Sequence, residues 1–404
     1  MKKLFNLLLG VVTSIGGFVE VGSISTAAQA GAQFGFALLW AVAIAGLLLA
    51  SLTEMAGRVA TVSKRSISAA VRERFGFHFQ LVPLGAELAI DLLLLTAELG
   101  GAAIAVRLLT GTAFLWWIVP VGLFVFAVLW FGSFATIEDG VGLLGVVTLS
   151  FIVATWRGHP DARAVAAGFI PRLPGHDLTR YAFLAVSIVG ATVSPYLLNF
   201  YASGAVEEHW TEDMLWMNRV TAFAGMGFGS IVSMGVLATA AIVLAPLHIR
   251  VESYEQAALM FLPAFGRWGV TLFALSLGIG CLGAATELTL NAGYLVAQSF
   301  GWTWGVERER REAARFSAAF TAVLLAAVIV ALLGFDPLRM TLISVALTVV
   351  IMPIIVLPFL VLMNEERYVG RHVNSAAGNA VLAVLVLAGA MMAVVVVPLE
   401  VLGG

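Results

Sequence analysis

The first apolar segment, residues 4–32, contains the stretch Gly16-Gly17-Phe18-Val19-Glu20-Val21-Gly22-Ser23-Ile24-Ser25-Thr26. A carboxylate, paired glycines and three hydroxyls therefore interrupt a run long enough to cross a bilayer as a helix. A second apolar segment, residues 181–206, contains Gly190-Ala191-Thr192-Val193-Ser194-Pro195-Tyr196 at a similar depth. Glycine weakens a helix and proline removes a backbone donor, so both segments are predicted to unwind. Non-helical backbone at that depth is tolerated only around a protein-lined site.

The composition places the chain in a membrane. Of its 404 residues, 61% are apolar and 11% are charged, and the mean hydropathy is +1.00. A soluble domain carries about 25% charged residues, so a soluble enzyme and a disordered chain are excluded. The net charge of −2 excludes a nucleic-acid-binding protein, because such a protein needs an excess of positive charge to bind phosphates. Cys281 is the only cysteine, and the common catalytic motifs are absent, which favours a transporter over an enzyme.

Hydropathy predicts eleven membrane spans. They lie near 4–32, 35–60, 81–109, 113–134, 139–157, 181–206, 218–247, 265–298, 314–334, 338–363 and 376–400. The distribution of Lys and Arg predicts a cytoplasmic N-terminus and an external C-terminus in a bacterial-type inner (plasma) membrane. Lys2-Lys3 and the apolar residues after them have the outline of a signal peptide. Glu20 argues against that interpretation, because it lies past the apolar run in a segment that otherwise has the length of a full span.

Two interrupted spans at corresponding positions indicate an inverted repeat. Such a pair marks the midplane site of many transporters. The sequence predicts a single transmembrane domain over 1–404, with repeat one at about 4–157 and repeat two at about 181–363. A further helix at about 376–400 lies outside the repeats.

Acids within the spans are functional candidates, because a carboxylate in the bilayer is costly. Glu20 is the strongest, since it lies in an interrupted span. Glu98, in the third span, is expected to face the bundle because small residues follow it. Two interpretations stay open for Glu98 and Glu287: a role in transport, or a buried acid whose hydrogen bonds are satisfied. Asn291 follows Glu287 by one turn.

Three further acids have structural interpretations. Glu54 precedes Arg58 by four residues, the spacing of an ion pair on one helix face. Glu87 and Asp91 share that spacing near one end of the third span, and a solvated helix end is the favoured interpretation.

Several stretches resemble the Nramp family of divalent-metal transporters. The most specific runs from Thr26 to Trp40, and others are Met55-Ala56-Gly57-Arg58, Ala86-Glu87-Leu88-Ala89-Ile90, Glu98 with the following Gly101-Ala102-Ala103-Ile104-Ala105, and Pro353 with Pro358. The resemblance covers most of the chain. It implies an all-α polytopic membrane protein with the LeuT-type fold, a 5+5 inverted repeat with broken helices 1 and 6, plus an eleventh helix.

The substrate motifs differ from the family pattern. Glu20-Val21-Gly22-Ser23 aligns with the family's Asp-Pro-Gly-Asn, and Ser194-Pro195-Tyr196 aligns with Met-Pro-His. The resemblance implies that the bound ion contacts Glu20, Ser23, Ser194 and the Ala191 carbonyl. Val19 and Tyr196 are possible further contacts of the substrate.

The same alignment bears on proton coupling. Tyr196 and Tyr201 replace the two histidines that the family uses for proton movement, and Leu95 replaces an aspartate. Coupling to protons is therefore expected to be weak or absent. The possible path for ions or protons comprises Glu98, Glu287, Asn291 and Tyr201.

An all-oxygen ligand set suits hard ions such as Mg²⁺ or Mn²⁺. The expected function is transport of such a divalent cation by alternating access, with the ion as substrate, no cofactor, and a monomer in the lipid bilayer. One alternative is a transporter of the same fold that moves an organic cation or another small solute, with Glu20 providing the charge and aromatic rings the cation–π contacts. A membrane protein that transports nothing is a third.

Overall fold

A computed structural model describes residues 20–132 and 146–391. These residues form seventeen α-helices joined by short loops and 3-10 turns, with no β-strand among them. The helices are α1 Val21–Phe34, α2 Leu39–Ser63, α3 Ile67–Phe75, α4 Phe77–Thr110, α5 Leu115–Phe131, α6 Ser150–Arg157, α7 Ala162–Gly168, α8 Leu178–Thr192, α9 Pro195–Glu207, α10 Leu215–Val243, α11 Tyr254–Ala258, α12 Leu262–Phe265, α13 Gly269–Phe300, α14 Ala314–Leu332, α15 Pro337–Met363, α16 Glu366–Val369 and α17 Ala376–Met391.

Each of the eleven predicted spans corresponds to a helix or a helix pair. Within the described ranges, seven helical segments are long and apolar enough to cross a membrane. Three shorter apolar helices, Leu115–Phe131, Val147–Arg157 and Ala376–Met391, match the fourth, fifth and eleventh spans. Parts of the first, fourth, fifth and eleventh spans lie outside the described residues. The all-α polytopic architecture is confirmed, and the boundaries of the two repeats stay a prediction.

The predicted break in the sixth span is present. The helix ends at Thr192 and a new helix, α9, begins at Pro195. Between them, Ser194 has an extended backbone with φ −85° and ψ 130°. Proline explains this conformation, because its ring disfavours helical backbone in the residue before it.

The interior of the bundle depends on close helix approach. Helix α4 packs along α13, and both approach the start of α1 at Gly101. A Cβ on Gly101 would lie 2.7 Å from the sulfur of Cys281 and 3.0 Å from a methyl group of Val21. Only glycine therefore allows these three helices to meet without displacement. Large apolar side chains cover the outside instead, as Trp116 and Phe131 show with exposed fractions of 81% and 83%.

Candidate functional site

The site is centred on Glu20, which immediately precedes α1. Its backbone is extended, with φ −96° and ψ 174°, and its carboxylate is buried. The Tyr196 hydroxyl, from the first turn of α9, donates a hydrogen bond of 3.0 Å to Glu20 Oε2. Glu20 Oε1 is buried and accepts no hydrogen bond from the described residues. The two interrupted spans therefore meet at a carboxylate that has one oxygen available for a ligand.

The break between α8 and α9 supplies two more oxygen atoms. Pro195 lacks the N–H that the carbonyl of Ala191, four residues earlier, would accept in a continuous helix. The Ser194 side chain is fully buried, and its hydroxyl makes no hydrogen bond to any residue that the structure describes. Unsatisfied buried polar atoms are rare in native proteins, so these oxygens are candidate ligands.

Glycine at position 22 connects the two halves of the site. A Cβ there would lie 3.2 Å from Glu20 Oε1 and 3.4 Å from the Cβ of Ala191. The unpaired carboxylate oxygen and the end of α8 thus border the same point. Ser23 is buried in the first turn of α1, and Val19 lies outside the described residues.

Glu98 holds the start of α1 in position. Its carboxylate accepts hydrogen bonds of 3.1 and 3.4 Å from the backbone N–H of Val21. A carboxylate at a helix N-terminus satisfies a free donor and complements the helix dipole. The expectation that Glu98 faces the bundle is confirmed.

No cationic side chain of the described ranges forms an ion pair with Glu20 or Glu98. The same part of the chain contains no group of three or more histidine, cysteine or acidic side chains placed to hold a metal ion. A cation bound here would therefore depend on one carboxylate together with hydroxyl and carbonyl oxygens, as the sequence predicts.

The remaining predicted residues are spread around the site. Glu287 lies on α13 close enough to Tyr196 for an electrostatic interaction. Tyr201 is further along α9, where its hydroxyl donates to Asn218 Oδ1 at 3.0 Å, and Asn218 in turn donates to the Glu54 carbonyl. The structure brings Tyr201 to α10 rather than to Glu20, and its role in a path stays a prediction.

The interpretation of Glu87 and Asp91 as a solvated helix end is wrong. Both side chains are buried, with exposed fractions of 2% and 1%, and both accept hydrogen bonds from Asn291. Asn199, from α9, also donates to Glu87. The four-residue spacing showed that the acids share a helix face, but the asparagines come from other helices and no local pattern indicates them.

A cavity of about 890 Å³ lies at the other end of α1, on the face that the charge distribution predicts to be external. Gln29 forms part of its wall. The side chain of Gln29 accepts a bond of 2.9 Å from Arg180 and donates one of 3.1 Å to the carbonyl of Val251. Gln29 is itself almost fully buried, so these bonds connect α1, α8 and the loop before α11 above the site.

Comparison with known proteins identifies the family. The profile described as Natural resistance-associated macrophage protein-like, Nramp, matches residues 10–398. This chain belongs to the Nramp family. Among its Nramp relatives, the divalent metal cation transporter MntH of Deinococcus radiodurans is 30% identical over 350 residues, which cover 83% of this chain and 76% of that protein. MntH of Yersinia enterocolitica is 28% identical over 375 residues, with coverage of 89% and 86%.

Solved structures show the same fold. The Eremococcus coleocola manganese transporter, in complex with an aromatic bis-isothiourea substituted compound, superposes with a TM-score of 0.78 at 18% identity, over 97% of this chain and 87% of that one. Mhp1, a nucleobase-cation-symport-1 family transporter, gives a TM-score of 0.63 at 14% identity, over 98% and 92%. The Nramp chain therefore has the predicted LeuT-like fold.

Proposed function

We propose that this protein moves a divalent metal cation across a bacterial-type plasma membrane by alternating access. The observation that carries the proposal is the unpaired Oε1 of Glu20, buried beside the end of α8 with no cationic side chain of the described residues paired to it. A buried carboxylate without a counter-charge is costly. A small cation would remove that cost, and its binding would use Glu20, Ser23, Ser194 and the Ala191 carbonyl.

The relatives support a divalent ion as the cargo. Both MntH proteins are named divalent metal cation transporters, and the similar solved structure is that of a manganese transporter. Members of the family are transporters, so the expectation of a transporter rather than an enzyme is confirmed. A single added Cβ on Gly22 would already lie 3.2 Å from Glu20 Oε1, and this close approach favours a small ion over an organic cation.

The donor set favours Mg²⁺ or Mn²⁺ over softer metals. Ser194 stands where the family pattern has methionine, so the set offers carboxylate, hydroxyl and carbonyl oxygens alone. Hard cations prefer such ligands, and loss of the thioether removes the preference for soft metals. Tyrosines at positions 196 and 201, in place of histidines, support transport with weak or no proton coupling. We propose a monomer with a cytoplasmic N-terminus and an external C-terminus.

Uptake into liposomes tests the proposal. We expect Mn²⁺ uptake that Mg²⁺ inhibits more strongly than Cd²⁺, without acidification reported by an internal pH dye. Glu20→Gln should weaken Mn²⁺ binding at least 100-fold, because removal of one partner of a buried charge pair costs about 3–5 kcal/mol.

Glu54→Gln is the matched control. Glu54 is also a poorly exposed acid, but Arg58 already pairs with it at 2.7 Å, so Mn²⁺ binding should be unchanged. Folded protein that takes up none of the divalent ions would refute the proposal and direct the search to organic cations.

A further inference from the structure

A second buried polar cluster lies between α3, α4, α9 and α13. Asn291 Nδ2 donates to Asp91 Oδ2 at 2.9 Å and to Glu87 Oε1 at 3.3 Å. Asn199 Nδ2 donates to the two oxygens of Glu87 at 2.7 and 2.8 Å. The hydroxyl of Ser68 donates to Asn199 Oδ1 at 3.4 Å. Two carboxylates and two amides from three transmembrane helices therefore meet at one place.

This cluster carries two acids and no compensating positive charge. Among the ion pairs of the described residues, none involves Glu87 or Asp91. Two carboxylates that share one amide nitrogen repel each other, and burial raises the cost of that repulsion. The amide N–H groups reduce this cost as neutral donors, but they supply no net charge.

Two side-chain oxygens in the cluster are buried and unsatisfied. Asp91 Oδ1 and Asn291 Oδ1 accept no hydrogen bond from the described part of the chain, and both side chains are at most 1% exposed. The Asn291 amide lies between the two carboxylates, because its nitrogen bonds to both. Its free oxygen and that of Asp91 thus belong to the same polar site, where a cation would satisfy both.

We propose that Glu87, Asp91, Asn199 and Asn291 form a second binding site for a hard divalent cation. Two carboxylates match a charge of +2, and amide oxygens are ordinary ligands of Mg²⁺, Mn²⁺ and Ca²⁺. Rotation of either amide by 180° exchanges its donor for an acceptor, so both asparagines can present oxygen to an ion. In the ion-free arrangement their N–H groups occupy the positions that the cation would take.

The location makes this site a stage in ion movement. Glu87 precedes Glu98 by eleven residues on α4, which is about 16 Å along the helix axis. It lies toward the end of α4 that begins at Phe77, which the charge distribution predicts to be cytoplasmic. A route from the Glu20 site to the cytoplasm along α4 would pass this cluster. The inference therefore rests on the proposed function for the identity of the ion.

Polar groups continue from the cluster toward the same membrane face. The hydroxyl of Ser203 donates to the Asn199 carbonyl at 2.6 Å and accepts from Gln298 at 2.8 Å. On the neighbouring side, Gln80 donates to Ser299 at 2.9 Å. The side-chain amide oxygens of Gln80 and Gln298 accept no hydrogen bond from the described residues. Unoccupied oxygens thus extend from the second site to the ends of α4 and α13.

Counting bound Mn²⁺ tests the inference. The full-length protein in detergent is titrated with Mn²⁺, and the free ion is measured by electron paramagnetic resonance. We expect two ions per chain at saturation. The double variant Glu87→Gln/Asp91→Asn should bind one, Glu20→Gln should bind one, and Glu54→Gln should bind two. Asp91→Asn alone, which keeps the shape of the side chain, should also lose one ion and serves if the double variant does not fold.

The outcomes separate the two proposals. One ion in the wild type that is lost in Glu20→Gln and kept in Asp91→Asn overturns the second site and leaves the proposed function standing. Two ions in Asp91→Asn also overturn it. One ion that is lost in Asp91→Asn and kept in Glu20→Gln supports the second site and refutes the role of Glu20. No bound ion in folded wild-type protein refutes both.

Discussion

Replacement of Pro195 by alanine should join α8 and α9 and weaken ion binding without removal of any ligand side chain. Alanine supplies the N–H that the carbonyl of Ala191 lacks, and it removes the constraint on Ser194. That residue would need to turn from its ψ of 130° to the helical value of about −42°. The Ala191 carbonyl would then accept a backbone bond instead of contacting an ion.

The magnitude follows from the helix preference of alanine and from the contacts that oppose it. Alanine is favoured over proline within a helix by about 3 kcal/mol, a figure that includes the backbone hydrogen bond that proline lacks. The packing of α9 and the bond between Tyr196 and Glu20 oppose the change. If about 1.4 kcal/mol of the preference remains, Mn²⁺ affinity falls tenfold. We therefore expect at least a tenfold rise in the dissociation constant.

The assay is Mn²⁺ titration of the purified variant, with Pro120→Ala as the matched control. Pro120 lies inside α5 on an exposed face, so its replacement also adds an N–H and removes a ring, but far from the site. Affinity should be unchanged in this control. Unchanged affinity in Pro195→Ala as well would refute the reasoning that the break in the sixth span exists to present the Ala191 carbonyl.

Three further predictions concern other contacts. Ser194→Met adds a soft ligand and should increase inhibition of Mn²⁺ uptake by Cd²⁺ relative to Mg²⁺ about tenfold, as competition assays would show; an unchanged ratio would place Ser194 away from the ion. Arg180→Ala removes the hydrogen bond to the side chain of Gln29, which also bonds to the loop at Val251. Amide hydrogen exchange in that loop should accelerate about tenfold, because one charged hydrogen bond is lost. Gly101→Val should lower stability by about 1–3 kcal/mol through overpacking, measured by denaturation in detergent, and Cys281→Ala should restore part of the loss because it removes one of the two clashing groups.

The sequence predicted the local features of the site well. Pro195 and the polar residues around Glu20 determine where helices end, because those preferences act within a few residues. The break after Thr192 and the extended backbone at Glu20 follow from them. The hydrogen bond between Tyr196 and Glu20 joins residues 176 positions apart, and no periodicity or motif could reveal it.

The second cluster shows where prediction fails. The spacing of Glu87 and Asp91 gives their common helix face but not what that face contacts. The depth of α4 in the bundle, and the asparagines on α9 and α13, decide that both acids are buried. From the sequence alone, an acid near the end of an apolar run is expected to be solvated. Tertiary packing buries these two acids instead.

Glu54 is a buried acid whose charge is balanced within the fold, because Arg58 pairs with it at 2.7 Å. Glu98 lies at the start of α1 and accepts hydrogen bonds from the N–H of Val21, which complements the helix dipole but supplies no full positive charge. Glu54 was predictable because its partner is four residues away, whereas the partner of Glu98 depends on how α1 and α4 pack.

Glu20, Glu87 and Asp91 differ from Glu54 because the described residues provide them with hydroxyl and amide donors but no positive charge. Neutral donors lower the cost of a buried carboxylate without cancelling its field. A positive ion that reached either place would be attracted by that remaining field, and it would leave again because the amide and hydroxyl donors can replace it. Strong fixed cations at these positions would block transport, since the site would already be neutral. Glu20, Glu87 and Asp91 have no basic partner among the residues that the structure describes, which agrees with the proposed path for a moving cation.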